Sequence, residues 1–365
     1  MTNKFIAFSI LLSSFQLAQA QCPTIALTLS TQAEITSFPS TYPTCTSIPD
    51  GIDLKIMGAD ITDLTPLSQL TSIYGAFEIR NCPLLTNLNG LHNITVSGND
   101  ALDGFILRDL PSLTSLSALS NLTAITGEFT IRTCNSLNTL TGLNSLDTVH
   151  GSVIIRDNAI LQNFNGLSGL IYIGETLEII GNPQLIDISA LSNVNTIVGG
   201  VEGGVFIENN IMLSNLTGLG NNLTTIGSNL DLVLNGSLTL CSVPSICNYL
   251  SNPPLGAIIT INTNLVNCNT ESEILANCVF LSENELNNTS EHYSIFPNPA
   301  SDIIKIFTTG SPCNVEVYSV IGKKVDSFLL NQYSEYELKD IAKGTYFLKF
   351  TNSEREETFI KFIKL

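Results

Sequence analysis

The sequence contains no tryptophan, and its 365 residues include only three histidines, His92, His150 and His292. Because these histidines lie far apart along the chain, they supply few general bases and few imidazole metal ligands. Positive charge is also scarce: 15 lysines and arginines stand against 32 acidic residues, and the formal net charge is −17. A chain this acidic repels phosphate groups, which argues against nucleic acid and anionic membranes as partners.

Long apolar runs are missing, apart from a short one at the N-terminus. Residues 1–20 carry one positive charge, Lys4, then an apolar run from Phe5 to Leu12, and they end in Ala18-Gln19-Ala20, a pattern that signal peptidase cuts. A membrane-spanning helix needs about 20 continuous apolar residues, and this run is interrupted at Ser13. We therefore predict a secretory signal peptide over residues 1–20 and an exported protein with no transmembrane segment.

Pairs of apolar residues with one residue between them recur about every 24 residues through the middle of the chain. Val, Ile and Phe are frequent in the pairs, and a period of two is typical of β-strands. A Leu-rich stretch and a turn follow each pair, and a fixed period of this length indicates a solenoid. We predict an all-β, right-handed parallel β-solenoid of about eight coils over residues 49–240. The pairs are Leu54-Ile56, Phe77-Ile79, Phe105-Leu107, Phe129-Ile131, Val153-Ile155, Leu177-Ile179, Val205-Ile207 and Leu230-Leu232.

Polar residues follow several of these strands directly. Turn backbone at the end of a strand has N–H and C=O groups that lack a sheet partner, and short polar side chains satisfy them. We therefore predict that these residues form structural hydrogen-bond ladders rather than bind a ligand. They are Asn81, Asp109, Thr133, Asp157 and Asn209.

The segment LTAITGEFTIRTCNSLNTLTGLNSLDTVHGSVIIRDN shows the repeat in register. It resembles the receptor L domain, a β-helical relative of leucine-rich repeats that is found in receptor ectodomains and in many bacterial surface proteins. The resemblance covers roughly residues 45–250 and implies the same solenoid fold.

Six cysteines flank the repeats, and export permits disulfides. We predict an N-terminal cap over residues 21–48, in which Cys22 pairs with Cys45, and a Cys-rich C-terminal cap over residues 241–278. The four cysteines of the second cap allow three pairings, and the sequence does not choose between them. They are Cys241, Cys247, Cys268 and Cys278.

The remaining cysteines are predicted to be buried and reduced. Cys82 and Cys134 occupy equivalent positions two coils apart, with Leu110 between them. Two strand spacings separate their Cα atoms by about 10 Å, which is beyond the reach of a disulfide. Cys313 stands alone near the C-terminus and is predicted to be a buried thiol.

The tail differs from the repeats. Residues 279–292 are polar and are predicted to form a linker. Short alternating segments over residues 293–365, bounded by Gly, Pro and Asn, indicate a small Ig-like β-sandwich.

The tail resembles the type A C-terminal sorting domain of the type IX secretion system of Bacteroidota. The resemblance is carried by Pro297-Asn298-Pro299, by Gly322, by Gly344 and Tyr346 in GTYFLKF, and by the final KFIKL. It implies recognition by the secretion machinery, passage through the periplasm to the outer cell surface, and removal of the domain, usually in exchange for a lipopolysaccharide anchor.

Basic residues of the solenoid all lie on the strands that define the repeat, at positions that alternate with the apolar pairs. The arginines occupy the same place in four consecutive coils, so strand alternation puts them on the outer face in a column with a spacing of about 5 Å. Guanidinium groups in such a column can bind the carboxylate or sulfate groups of a polysaccharide, or can pair locally with Glu78, Asp109 and Asp157. The candidate ligand-binding residues are Lys55, Arg80, Arg108, Arg132 and Arg156.

From these features we predict a secreted or cell-surface, non-catalytic repeat protein that binds a glycan or a protein through its exposed strands, as in adhesion or recognition. The sequence has no GxSxG, HExxH, Walker or GxGxxG pattern, so we predict no catalytic residue, no cofactor and no metal site. The alternative is a carbohydrate-active enzyme, a polysaccharide lyase or hydrolase on a β-helical scaffold. That activity requires clustered carboxylates, or Ca²⁺ beside a basic residue.

Overall fold

A computed structural model describes residues 22–200, 202–220, 222–278, 293–296, 298, 300–308, 312–320, 322–352 and 357–365. These residues form two compact units, one within residues 22–278 and the other within residues 293–365. No helix among the described residues is long and apolar enough to cross a membrane. The predicted signal peptide and linker lie outside the described residues.

Two parallel sheets make up the first unit, and they confirm the predicted β-solenoid. The long sheet has ten strands, which neighbour one another in chain order. They are Leu27–Leu29, Leu54–Ile56, Phe77–Arg80, Phe105–Arg108, Phe129–Arg132, Val153–Arg156, Leu177–Ile180, Gly204–Glu208, Asn229–Val233 and Ile259–Asn262. The second sheet has eight two-residue strands, Ser47–Ile48, Ser72–Ile73, Val96–Ser97, Ala124–Ile125, Thr148–Val149, Tyr172–Ile173, Thr196–Ile197 and Thr225–Ile226.

The predicted register holds along the long sheet. Phe105 pairs with Phe129, which pairs with Val153, which in turn pairs with Leu177. All four side chains are buried, and the rings of Phe105 and Phe129 lie 6.0 Å apart. Burial of one such side chain contributes about 1.5–3 kcal/mol, so the stacked apolar side chains stabilise the contact between coils.

Asparagine side chains form a buried ladder, but one residue later than we predicted. From the strand Phe77–Arg80 onward, the residue that directly follows each strand of the long sheet has a left-handed backbone conformation, for example φ 56° at Asp157. The next residue, Asn158, points inward and is fully buried. Its amide hydrogen-bonds Asn182 of the next coil, and the pattern continues to Asn264. Because the left-handed residue breaks the alternation of the strand, the polar residue after it faces the core.

Glycine is required at a turn within the Leu-rich stretch of each of two successive coils. Gly142 and Gly166 have φ of 120° and 115°, a region that other residues avoid. A Cβ atom at Gly166 would lie 2.0 Å from the carbonyl oxygen of Leu140 in the preceding coil. The close approach of successive coils therefore excludes any side chain here.

Each end of the solenoid has a helix and disulfides, and the long sheet extends into both predicted caps. At the N-terminal end, the helix Gln32–Thr41 follows the first strand, and Cys22 is bonded to Cys45, as predicted. At the other end lie the helices Pro244–Ser251 and Glu271–Ala276. The pairing there is Cys241 with Cys268 and Cys247 with Cys278, one of the three that the sequence allowed.

Cys82 and Cys134 are reduced and fully buried, as predicted. Burial raises the pKa of Cys134 to about 12 and also raises the pKa of Cys82. Because only the thiolate reacts, we expect neither thiol to be alkylated by iodoacetamide at pH 8 in the native protein, whereas both should react fully in denaturant without reductant. Mass spectrometry of the labelled peptides measures this, and rapid native labelling of Cys134 would contradict the inward position of this column.

The tail is a small β-sandwich with a core of its own. One sheet contains Tyr293–Phe296, Ile303–Thr308 and Tyr333–Glu337, and the other contains Lys324–Leu330, Cys313–Ser319, Gly344–Thr351 and Glu357–Lys364. Cys313 is buried in the core of this unit.

Candidate functional site

The outward side chains of the long sheet form a surface that we call the strand face. Arg80, Arg108, Arg132 and Arg156 are in register on it and form the arginine column. Lys55 is in register with Glu78 instead, so it lies in the neighbouring column, and it forms an ion pair with Asp53 at 3.4 Å. The sequence therefore placed the four arginines together correctly, whereas Lys55 is not part of their column.

Carboxylates lie beside every arginine of the column. Glu78 is buried and accepts a hydrogen bond from Nε of Arg108 at 2.8 Å, and it lies 3.7 Å from Arg80. Arg132 contacts Asp157 at 3.2 Å, where both side chains are almost half exposed. Among the described residues, Asp109 forms no ion pair, although we predicted it as a partner.

Glu178 supplies the carboxylate for Arg156, at 2.8 Å. It was not among the partners that we predicted from the sequence. The exposed pair of Arg132 and Asp157 costs least to open, since exposed ion pairs contribute about 0–1 kcal/mol. Arg132 is therefore the guanidinium most available to a ligand.

A depression of about 280 Å³ lies on the strand face beside the arginine column. Its centre is the column formed by Ile106, Thr130 and Ile154, which are in register with one another. The hydroxyl of Thr130 donates a hydrogen bond to the carboxylate of Glu128. The depression thus combines an apolar floor with guanidinium donors on one side. Its lining residues are Glu78, Ile106, Arg108, Glu128, Thr130, Arg132, Ile154 and Arg156.

Acidic residues occupy the strand face beyond the arginines. Glu178, Glu208 and Asp231 lie on three consecutive strands, with the half-buried Phe206 among them. Burial raises the pKa of Glu208, and the charges of Asp231 and Glu178 raise it further. Burial also raises the pKa of Glu178, by more than Arg156 lowers it.

We did not identify Glu208 from the sequence, where the outward position between the two apolar residues of its pair is Phe206. Glu208 lies two residues further along its strand, in the same column as the arginines. Among the described residues, no group of three or more His, Cys, Asp or Glu side chains is placed to hold a metal ion.

In the tail, the residues of the predicted sorting motif hold the sandwich together. The amide of Asn298 donates to the carbonyl of Lys361 and accepts from the N–H of Ile363, both at 2.9 Å. Tyr346 is buried, its ring stacks on Phe362, and its hydroxyl donates to the carbonyl of Ala342. These contacts fix the last strand, which includes most of the KFIKL segment.

The two motif glycines have backbone conformations that favour glycine. Gly322 has φ of 75° in the turn between two strands, and Gly344 has φ of 151° at the start of its strand. Pro297 and Pro299 lie outside the described residues.

Residues 294–364 match the family described as "Secretion system C-terminal sorting domain". The tail is a sorting domain. The chain is therefore exported by the type IX secretion system of Bacteroidota to the cell surface or the medium, and the machinery of that system is the partner of the tail. No curated protein matches the chain.

Proposed function

We propose that the protein is a non-catalytic recognition protein of the cell surface that binds an acidic glycan or an acidic protein through the strand face. In this proposal the solenoid belongs with the receptor L domains and leucine-rich repeats that it resembles. The sorting domain is removed after export and is replaced by a lipopolysaccharide anchor, which leaves the solenoid displayed on the outer surface and suited to adhesion.

The observation that carries this proposal is the depression beside the arginine column. Guanidinium groups form paired hydrogen bonds with carboxylates and sulfates, and three of them line this depression in register. Ile106 and Ile154 add apolar contact on its floor. Such a surface suits a ligand that carries an oxyanion beside an apolar group.

The enzyme alternative requires carboxyl groups that are available to a substrate. The two acidic residues that line the depression are already engaged, Glu78 with Arg108 and Glu128 with Thr130. A general acid or base must lie within hydrogen-bond distance of the substrate. Because both carboxylates already contact other side chains, the arrangement supports binding rather than catalysis.

Replacement of Arg132 by Gln tests the proposal. We expect binding to immobilised acidic ligands, both polysaccharides with carboxylate or sulfate groups and acidic proteins, to weaken about tenfold. The melting temperature should hardly change, because the ion pair with Asp157 is exposed. Arg108 is a poorer choice, since its loss leaves the buried Glu78 with only a distant partner.

Arg80→Gln is the matched comparison, because Arg80 belongs to the same column but does not line the depression. We expect a smaller loss of binding for this variant, and weaker binding of the parent protein as salt rises. Equal binding by the parent and Arg132→Gln proteins would remove the depression as the site. Release of new reducing ends from a bound polysaccharide would establish the enzyme alternative instead.

A further inference from the structure

The strand face has one half that carries all four arginines, each beside a carboxylate, and another half whose charged residues are all acidic. Its arginines lie on four consecutive strands, from Phe77–Arg80 to Val153–Arg156. The next three strands carry Glu178, Glu208 and Asp231, and residues 157–278 contain no lysine or arginine. One surface therefore holds both the cations and the anions of a possible contact, in separate patches of similar length.

A two-fold axis makes this surface complementary to itself. Let the axis run parallel to the strands, above the face, between Val153–Arg156 and Leu177–Ile180. Rotation about it reverses the order of the coils but leaves each column opposite its own copy. Phe129–Arg132 then faces Gly204–Glu208, and Phe105–Arg108 faces Asn229–Val233.

On this basis we propose that the acidic ligand of the strand face is a second copy of this chain, in a two-fold symmetric contact in which Phe206 of each copy enters the depression of the other. The inference rests on the proposed function, since it names the partner of the same site.

Phe206 is the residue that fits the depression. The register places Phe206 in the column of Ile106, Thr130 and Ile154, so the rotation sets its ring over Thr130, at the centre of the depression. Ile106 and Ile154 would flank the ring, and guanidinium groups can contact its face favourably. The side chain of Phe206 is partly exposed in the single chain.

Charge pairing supports the same arrangement. Arg132 and Glu208 share one column, so they meet directly across the axis, twice in the symmetric contact. Arg108 faces Val233 in the same rotation, and Asp231 lies opposite Ile106, in the column next to Arg108. Glu208 lies beside two other carboxylates of its own chain, which raise its pKa, and the arginines of a second copy relieve that repulsion.

The size of the face predicts a weak contact. Eight of the ten strands overlap in this arrangement, from Phe77–Arg80 to Ile259–Asn262. At a spacing of about 4.8 Å, and with about four residues in each strand, they give a surface of about 38 by 13 Å, or about 500 Å² per copy. This is below the roughly 800 Å² per partner of a stable interface. The contact is therefore reversible for isolated chains, and many copies on a cell surface strengthen it by multivalency.

Sedimentation equilibrium of the full chain without its signal peptide, at low salt, tests the inference. We expect a monomer–dimer equilibrium that weakens with salt, and a dissociation constant at least about tenfold higher for Phe206→Ala, Arg132→Glu or Glu208→Arg. The double variant Arg132→Glu with Glu208→Arg restores both ion pairs and should recover the parent constant. Asp147→Arg is the control, since Asp147 lies next to the second sheet, is exposed, and should not change the constant.

Recovery of the parent dissociation constant in the double variant is the decisive result. If each single substitution acted by disrupting the fold, combining the two would not restore dimerisation. A parent protein that stays monomeric over the whole accessible concentration range overturns the inference. So does a dimer that none of the three face substitutions weakens. If the monomer still binds acidic polysaccharide and Arg132→Gln weakens that binding about tenfold, the proposed function holds and only the second copy is excluded as the ligand. If neither kind of binding is found, both proposals fail.

Discussion

A chain that ends at Cys278 is expected to fold and to accumulate in the periplasm instead of reaching the cell surface. The solenoid has its own hydrophobic core within residues 29–274, and all three disulfides lie within residues 22–278. The sorting domain that the secretion machinery recognises is lost with residues 279–365. Cell fractionation, with non-reducing gels to show the disulfides, measures both parts of the expectation.

A point variant in the tail separates sorting from chain length. Asn298→Ala removes both hydrogen bonds that tie this residue to the last strand, so we expect the exported fraction to fall while the solenoid still folds. Asn331, an exposed residue in the turn between two tail strands, is the matched control and should tolerate alanine. Normal export of the truncated chain would refute the role of the tail as the sorting signal.

Asn182→Leu is expected to destabilise the solenoid by about 3–5 kcal/mol, since each buried polar group left without a partner costs about 1–3 kcal/mol. The Oδ1 atom of Asn182 accepts from the backbone N–H and the amide of Asn158, and its Nδ2 atom donates to the carbonyl of Ile155. Leucine satisfies none of these groups, all of which are buried. The melting temperature should fall by about 10 °C for a unit of this size.

Asn193→Leu is the matched control for the ladder. Asn193 is exposed and donates one hydrogen bond, to the carbonyl of Ser168, so its replacement should cost about 1 kcal/mol at most. Calorimetry of the Asn182→Leu and Asn193→Leu variants compares the loss of stability from the same substitution at a buried and at an exposed position. Equal melting temperatures would show that the ladder contributes little.

The period of the apolar pairs was sufficient to predict the coils and their register. Stacked strands bury equivalent residues, so a repeat of Phe105, Phe129 and Val153 at constant spacing can be satisfied only if they lie on one another. Both ends were harder to predict. Leu27–Leu29 and Ile259–Asn262 join the long sheet although the segments beside them are helical and do not show the repeat.

The ladder could have been located from the column that contains Cys82, Leu110, Cys134 and Asn158. Cysteine and leucine are typical of cores, so Asn158, at the equivalent position, also had to face inward. Asp157 is one position earlier and therefore does not belong to this column. Period-two reasoning fails at this point because a left-handed residue ends the strand. Backbone conformation of that kind is a local property that side-chain patterns alone do not reveal.

The candidate site was only partly predictable. The arginine column followed from strand alternation, and Glu78 and Asp157 were correctly predicted as partners. The depression depends on which columns are adjacent in space. The proposed contact of Phe206 with it depends on the same arrangement. Sequence spacing determines the column of a residue but not the shape of the surface between columns.

The few basic residues of the solenoid have a further consequence for its survival outside the cell. Trypsin-like proteases cut after lysine or arginine and act mainly on exposed, flexible segments. Lys55 and the arginine column all lie within strands of the long sheet, where cleavage must wait for local unfolding. Residues 157–278 contain no cleavable bond of this kind. We therefore expect the folded solenoid to resist digestion by trypsin-like proteases.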